Sequence, residues 1–433
     1  MPQFTVYLET LYWMASSPAS SSFLGTDSRV LALAFARMAD ALGNSFLIIV
    51  LPLYVSSGRV SGDAFGFSTS MVAGIVLALF GIASSLAQPI AGRLSDRFGK
   101  RKRFVLGGLV VFSLVNLSFV WATQYWMLFG LRVLQGLAAA FTITASLALV
   151  NEVSQDSTRG RHMGMYNSFR LVGFGAGPLL ASVLLEAGPF SLGEGVEITG
   201  FQATFGVAAG AALLSAGLVG LLVRDPDDIV PAPRRIALRL WDRTGRGLDP
   251  ILSLGLATLV MAACFAMLSA IEPEVNARLN QTPVLFAVEF VALIAVLAVL
   301  QPFVGQASDS VGRKPFIVLG LVGLVPTTVL QGLVTVPWEM IAVRGAQGVA
   351  GAMVFAPALA LAGDYTTKGQ SGAQLSVLTV SFGLGIAAGQ LTAGYFVRYG
   401  FFVPFAVGGV MAAGAVLLVV TQVRERDSAE AVT

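Results

Sequence analysis

Charge is what this sequence has least of. Of its 433 residues only 12% are Asp, Glu, Lys or Arg, about half the roughly 25% of an ordinary soluble domain, and that excludes a soluble globular chain. A single cysteine, Cys264, leaves no internal disulfide, and a single histidine, His162, leaves no His-rich metal site. No Gly-x4-Gly-Lys-Ser/Thr run is present to hold ATP. With no metal-ligand spacing and no catalytic constellation, neither an enzyme nor a bound metal or cofactor is expected. The first 28 residues lack the basic segment, apolar stretch and small-residue cleavage site of a secretory signal, so none is expected. Phe4, Tyr7, Leu8, Leu11, Tyr12 and Met14 suit either a short interfacial helix or a disordered tail.

What is present is apolar: 55% hydrophobic residues, 48 glycines and a mean hydropathy of +0.78. Glycine inside apolar stretches is common in membrane helices, where it permits close packing. The pattern predicts an all-α integral membrane protein with twelve transmembrane helices. Helices 1 to 6 are expected at 30–55, 67–91, 104–122, 127–151, 162–186 and 201–223, and helices 7 to 12 at 250–271, 284–305, 315–335, 338–362, 373–397 and 402–421. The chain then divides into a tail (1–29), a six-helix bundle (30–223), a solvated linker (224–249), a second bundle (250–421) and a tail (422–433). The linker carries Pro226, Pro231 and Pro233, with six basic and five acidic residues.

Lys and Arg set the expected orientation, because positive charge is retained on the cytoplasmic side. The tails, the linker and the other even-numbered connections hold 20 of the 27 basic residues, whereas Arg59, Arg278 and Arg398 fall on the opposite side. Both termini are expected in the cytoplasm, most naturally at the inner membrane of a prokaryote. The pI of about 9.1 reflects this asymmetry and implies no nucleic-acid partner. Four arginines, Arg37, Arg132, Arg170 and Arg344, fall inside helices.

The sequence repeats itself. Gln88-Pro-Ile-Ala-Gly92-Arg-Leu-Ser-Asp96-Arg97-Phe-Gly99-Lys100-Arg101 reappears in the second half as Gln301-Pro-Phe-Val-Gly305-Gln-Ala-Ser-Asp309-Ser-Val-Gly312-Arg313-Lys314. Arg132-Val-Leu-Gln135-Gly136 recurs as Arg344-Gly-Ala-Gln347-Gly348, at an offset shorter by one. By that second offset Glu152 maps to Asp364, and Gly173 and Gly177 map to Gly385 and Gly389. Two copies of one six-helix unit are expected of a rocking transporter whose substrate site lies between halves at mid-membrane.

The run from Gly92 to Arg101 resembles the signature loop between helices 2 and 3 of the major facilitator superfamily, and Gly305 to Lys314 stands where that family has a weaker copy. Arg132 to Gly136 resembles its helix 4 motif. Gly164, Gly173, Gly177 and Pro178 resemble the helix 5 pattern of its 12-helix drug/proton antiporters, although Ala181 and Ser182 stand where two glycines are usual. The resemblance covers about residues 30 to 421 and implies two pseudo-symmetric six-helix bundles, the major facilitator fold. It also implies that Asp96 belongs to a cytoplasmic latch to the opposite half, which Arg97, Lys100 and Arg101 join through Glu152. Asp309, Arg313 and Asp364 form the related second half of that gate. It further implies that the helix 5 glycines pack against helix 8.

Among candidates for transport chemistry, Arg37, Asp40 and Asn44 share one face of helix 1, and Asp40 falls near the bilayer midplane. Arg132 enters from the other side on helix 4, within expected reach of Asp40. Asp40 either exchanges a proton as its exposure and its distance from Arg132 change, or forms a permanent ion pair with Arg37 or Arg132. Glu289 in helix 8 reads as the only carboxylate well inside a helix of the second half; it is a second titrating group, a contact for a cationic substrate, or a lipid-snorkelling or locally paired acid. Arg170 either pairs with Asp40 or holds an anionic group of a substrate. Gln135, Arg344 and Gln347 complete the substrate-cavity candidates. Met261, Cys264 and Met267 read as core or lipid-facing.

The expected function is secondary active transport by alternating access: efflux of a small amphipathic, drug-like compound in exchange for protons, by a monomer in lipid with the proton gradient as energy source. The alternatives are symport of an organic anion or nutrient, and a transporter-like sensor that binds without moving its ligand.

Overall fold

The computed structural model describes residues 22–23, 26–154, 159–191, 193, 197–225, 241, 247–365 and 371–425. The possible interfacial helix at residues 4–14, nearly all of the N-terminal tail, most of the linker and the end of the C-terminal tail lie outside them. Among the described residues twelve helices are long and apolar enough to cross a membrane. Helices 1 to 6 are Ser28–Ser56, Thr69–Phe98, Arg101–Ser118, Tyr125–Val153, Arg159–Ala187 and Gly200–Leu222. Helices 7 to 12 are Pro250–Ala270, Pro283–Val311, Arg313–Gln331, Pro337–Asp364, Ser371–Phe396 and Val403–Gln422.

Their starts follow from local chemistry. The Asp249 carboxylate accepts from the Ile251 amide at 2.9 Å with Pro250 at the first helical position, so helix 7 begins where its free amides are satisfied. Thr199 and Gln202 form a capping box at the start of helix 6. Ser68 caps helix 2.

Helices 2 and 8 run farther than hydropathy suggests. Gly92 to Phe98 and Gln306 to Val311, expected in loops, are helical, and each helix stops at a glycine with positive φ, Gly99 at 61° and Gly312 at 110°. The amide of Gly99 donates to the Ser95 carbonyl and that of Gly312 to Ser308, both at 3.1 Å. A second departure follows helix 7. The predicted loop contains the short helix Glu272–Leu279, with Glu272 and Glu274 in its first turn and Val275 and Leu279 buried.

The outer end, opposite the one where the described chain enters helix 1 and leaves helix 12, is where the two halves meet. Phe46, Leu47 and Val76 of the first half share one apolar cluster with Met267, Ile271, Val275 and Phe286 of the second. At the inner end each half has a separate core. Direct hydrogen bonds between the halves also lie outside: Ser70 donates to the Glu274 carboxylate, and the Val284 amide donates to Glu186 at 3.4 Å.

Helix 2 records where the seam parts. A Cβ on Gly74 would lie 2.7 Å from the Gln390 carbonyl of helix 11, and one on Gly81 2.9 Å from that of Gly383. Gly92 is five turns below Gly74 on the same face, and a Cβ there meets nothing within 4 Å. Among the described residues the halves are therefore closed together at the outer end and parted at the inner end.

Each half ties its sixth helix to the start of its third. The Lys102 amide donates to Asp225 at 2.7 Å and its Nζ to the Gly220 carbonyl at 2.7 Å. In the second half the Arg313 and Lys314 amides donate to Glu425 at 2.7 and 2.9 Å, and Lys314 Nζ donates to the Val420 carbonyl at 3.0 Å.

Candidate functional site

Helix 1 turns three faces to helices 5, 3 and 6 and a fourth, charged face to the side that remains. Gly173 and Gly177 of helix 5 pack on Met38, Leu42 and Ser45, Gly43 packs on Phe112 of helix 3, and the Phe35 carbonyl accepts from Ser215 of helix 6. Arg37, Asp40 and Asn44 occupy the remaining face. Asp40 is about 18 Å along the helix from Ser28 and about 24 Å from Ser56, counting about 1.5 Å per residue. It is 2% exposed and ion-paired to Arg37, while its Oδ1 has no hydrogen-bond partner among the described residues.

Two side chains of helix 5 complete the cluster. Tyr166 and Arg170, one turn apart, lie within electrostatic reach of Arg37 and Asp40. Tyr166 and Ser146 of helix 4 share a hydrogen bond of 2.5 Å, which ties helices 4 and 5 together below Asp40. Arg170 donates to the Asn167 side chain at 2.9 Å, and no carboxylate among the described residues is within ion-pairing distance of it. Tyr166 was not among the sequence candidates; its position one turn before Arg170, on the same helix face, is the signal that finds it.

Arg132 is not Asp40's partner. Its Nε and NH2 donate to the Val76 and Leu77 carbonyls of helix 2 at 3.0 and 3.2 Å, its NH1 donates to Gln135 at 2.6 Å, and it stacks on Phe80. Gln135 in turn donates to Asn116 at 2.9 Å. The repeat is faithful: Arg344 NH1 donates to Gln347 at 2.7 Å and Gln347 to Thr328 at 3.3 Å, although Arg344 holds the Phe265 carbonyl of helix 7 where Arg132 holds helix 2. Arg132, Gln135, Arg344 and Gln347 are each 1% exposed or less. They lie in the packing of their own halves, not in the gap where the sequence reading put them.

Glu289 is fully buried in helix 8, but it is not the second half's only buried acid. Glu272, just past helix 7, is also 0% exposed, and Glu289 lies within electrostatic reach of both Glu272 and Arg344. Burial holds the Glu272 carboxyl well above the ordinary carboxylate range, and the charge of Glu289 adds to this. Met261, Cys264 and Met267 are core residues at 0% exposure.

At the inner end Arg101 bridges Asp96 at 2.9 Å and Glu152 at 2.8 Å, all within the first half. Among the described residues Asp96 makes no bond to the opposite half, and Arg97 and Lys100 join no ion pair, so the expected latch is parted in this conformation. Arg313 repeats the arrangement with Asp309 at 3.1 Å and with Asp364. The counterpart of Arg101 is thus Arg313 and not Lys314. Lys100 is an extra residue before helix 3, which is why the two copies slip by one position there.

The helix 5 glycines are also placed differently from what the resemblance implies. Gly173 and Gly177 press on helix 1, and Gly385 and Gly389 press in the same way on Leu259 and Ala263 of helix 7. The seam with helix 8 belongs to the adjacent face: Phe174 packs on Phe290 with ring centres 5.4 Å apart, and Gly175 faces Ile294. Pro178 lies inside helix 5. A Cβ on Gly164 meets nothing within 4 Å.

Two repeated six-helix bundles, joined at one end and parted at the other around a mid-helix ion pair, define a membrane transporter rather than an enzyme. The model of the Major Facilitator Superfamily matches residues 33–249 and 254–432, and the chain belongs to that family. The chain is 25% identical over 376 residues to the multidrug resistance protein MdtG of Salmonella choleraesuis (strain SC-B67), covering 84% of this chain and 88% of the relative. It is 32% identical over 163 residues to multidrug resistance protein 2 of Bacillus subtilis (strain 168), covering 38% of this chain and 37% of that one. The match thus spans less than half the length of the Bacillus relative. Among solved structures, a peptide transporter POT in complex with sulfate has a TM-score of 0.73 at 15% identity, covering 95% and 97% of the two chains. An inward-facing, occupied bacterial homologue of the human lysosomal transporter Spinster has 0.71 at 15%, covering 90% and 94%.

Proposed function

We propose that the protein exports a small amphipathic compound in exchange for protons, by alternating access, as a monomer in the cytoplasmic membrane of a prokaryote with both termini in the cytoplasm. The observation that carries the reading is Asp40, a nearly inaccessible carboxylate at mid-helix whose one ion-pair partner among the described residues, Arg37, is on its own helix. A charge in that setting is kept only when paired or hydrated. A proton and the Arg37 guanidinium are alternative companions for the carboxylate, so a change in hydration on rocking moves the proton on or off. Relatives named for multidrug resistance support the direction of flux. No cofactor is required, since the gradient supplies the energy.

The test is purified protein in liposomes with an imposed pH gradient, screened against drug-like amphiphiles. A compound that moves only with the gradient, and whose addition dissipates it, supports antiport. Movement of the compound and protons in the same direction replaces it with symport, and binding without movement replaces it with a sensor.

A further inference from the structure

The charges around the gap do not cancel. Arg37 and Asp40 neutralise one another. Arg132 and Arg344 are spent on carbonyls within their own bundles, and Glu272 and Glu289 are sealed inside the second half at 0% exposure. Of the four arginines inside helices, Arg170 alone makes neither an ion pair nor a carbonyl contact among the described residues: its guanidinium is held only through its Nε by Asn167.

Its position on helix 5 fixes what it faces. On the turn of an α-helix, Gly173 and Gly177 stand to one side of Arg170 and Phe174 stands to the other. The glycines face helix 1 and Phe174 faces Phe290 of the opposite half. Arg170 therefore points between helix 1 and the seam, one turn nearer the inner end than the Phe174–Phe290 contact. A cation at a closed apex with an aromatic pair above it suits a ligand with one anionic head and an apolar body, because a guanidinium grips a carboxylate through two parallel hydrogen bonds.

We propose that Arg170 is the anion-recognition residue of the transport site and that the substrate class is amphipathic carboxylates, a narrowing that rests on the transporter reading above. The carboxylate takes NH1 and NH2 of Arg170, and the apolar body lies against Phe174 and Phe290. Arg37 stays with Asp40 and is not part of the anion site.

The test is equilibrium binding of two matched fluorescent probes to the purified full-length protein: dansylaminoundecanoate and a dansyl alkyl-trimethylammonium of equal length. Wild type is expected to bind the carboxylate at least tenfold more tightly than the ammonium. Arg170→Gln is expected to weaken carboxylate binding about tenfold or more, a difference of about 1.4 kcal/mol, with no loss of ammonium binding; Arg170→Lys should retain part of the preference. Equal loss of both probes in Arg170→Gln, a preference of wild type for the ammonium, or no carboxylate binding up to millimolar concentration overturns the proposal. Because binding is read without a gradient, selective binding with no flux in liposomes overturns the transport reading and leaves the anion site standing.

Discussion

Arg132 and Arg344, equivalent positions of the internal repeat, do the same work in the two bundles: each sends NH1 to the side-chain oxygen of the glutamine one turn on, at 2.6 and 2.7 Å, and each is 1% exposed. A buried cation whose partners are carbonyls and an amide fixes packing rather than carrying protons. Arg132→Ala should therefore destabilise the fold by about 3 kcal/mol or more, since it strands Gln135 and two helix 2 carbonyls. Thermal denaturation in detergent checks this. The variant that survives should keep the pH dependence of transport, and an altered pH profile at unchanged melting temperature would assign Arg132 to coupling.

Asp40→Asn removes the one charge that Arg37 pairs with and the one carboxylate of helix 1. Gradient-driven transport in everted vesicles should fall to background, while downhill movement of substrate persists. Undiminished gradient-driven transport discards the coupling role of Asp40.

The outer seam depends on bare backbone contact. In Gly81→Val the added Cβ lies 2.9 Å from the Gly383 carbonyl, a distance that rigid helix backbone does not yield to cheaply. The variant should favour the conformation with the outer end open. Labelling of a cysteine at Ser70→Cys by an impermeant maleimide should rise several-fold over the same cysteine alone; native Cys264 is buried and gives no background.

Glu272 lies outside the spanning helices, and burial raises its carboxyl well above the usual value of 4.5. The sign follows from linkage. Between 4.5 and the raised value the unfolded chain has lost the proton and the folded one keeps it, so stability falls as pH rises, by about 1.4 kcal/mol for each pH unit crossed. Melting temperature should drop from pH 5 to pH 8 in wild type. Glu272→Gln should flatten that drop and melt higher than wild type at pH 8, and a steeper drop in the variant would contradict the assignment.

Much of the architecture was legible because lipid enforces it: backbone groups with no water must pair within a helix, and the apolar runs show where. That Arg37 and Asp40 share a face of helix 1 and pair there was legible from their i, i+3 spacing. Rotational phase was not. Helix 4 is apolar nearly all round, and so is helix 5 beyond Arg170, so nothing in their sequence tells which neighbour Arg132 or Gly173 meets; Arg132 turned to helix 2 and Gly173 to helix 1. The burial of Glu272 was missed because Glu272-Pro-Glu274 reads as a polar connection, and only the Val275 and Leu279 pair betrays a helix folded back onto the bundle. The short breaks at Gly99-Lys100 and at Gly312 were hidden because arginine and serine inside a motif lower hydropathy without ending a helix.

The ties from Asp225 to helix 3 and from Glu425 to helix 9 have a mechanical consequence. Each bundle belts its own exit strand to its own third helix without borrowing an atom from the other, so neither belt is stretched when the bundles swing. Clipping the polypeptide just short of Glu425 would unbuckle the second body while leaving the first intact.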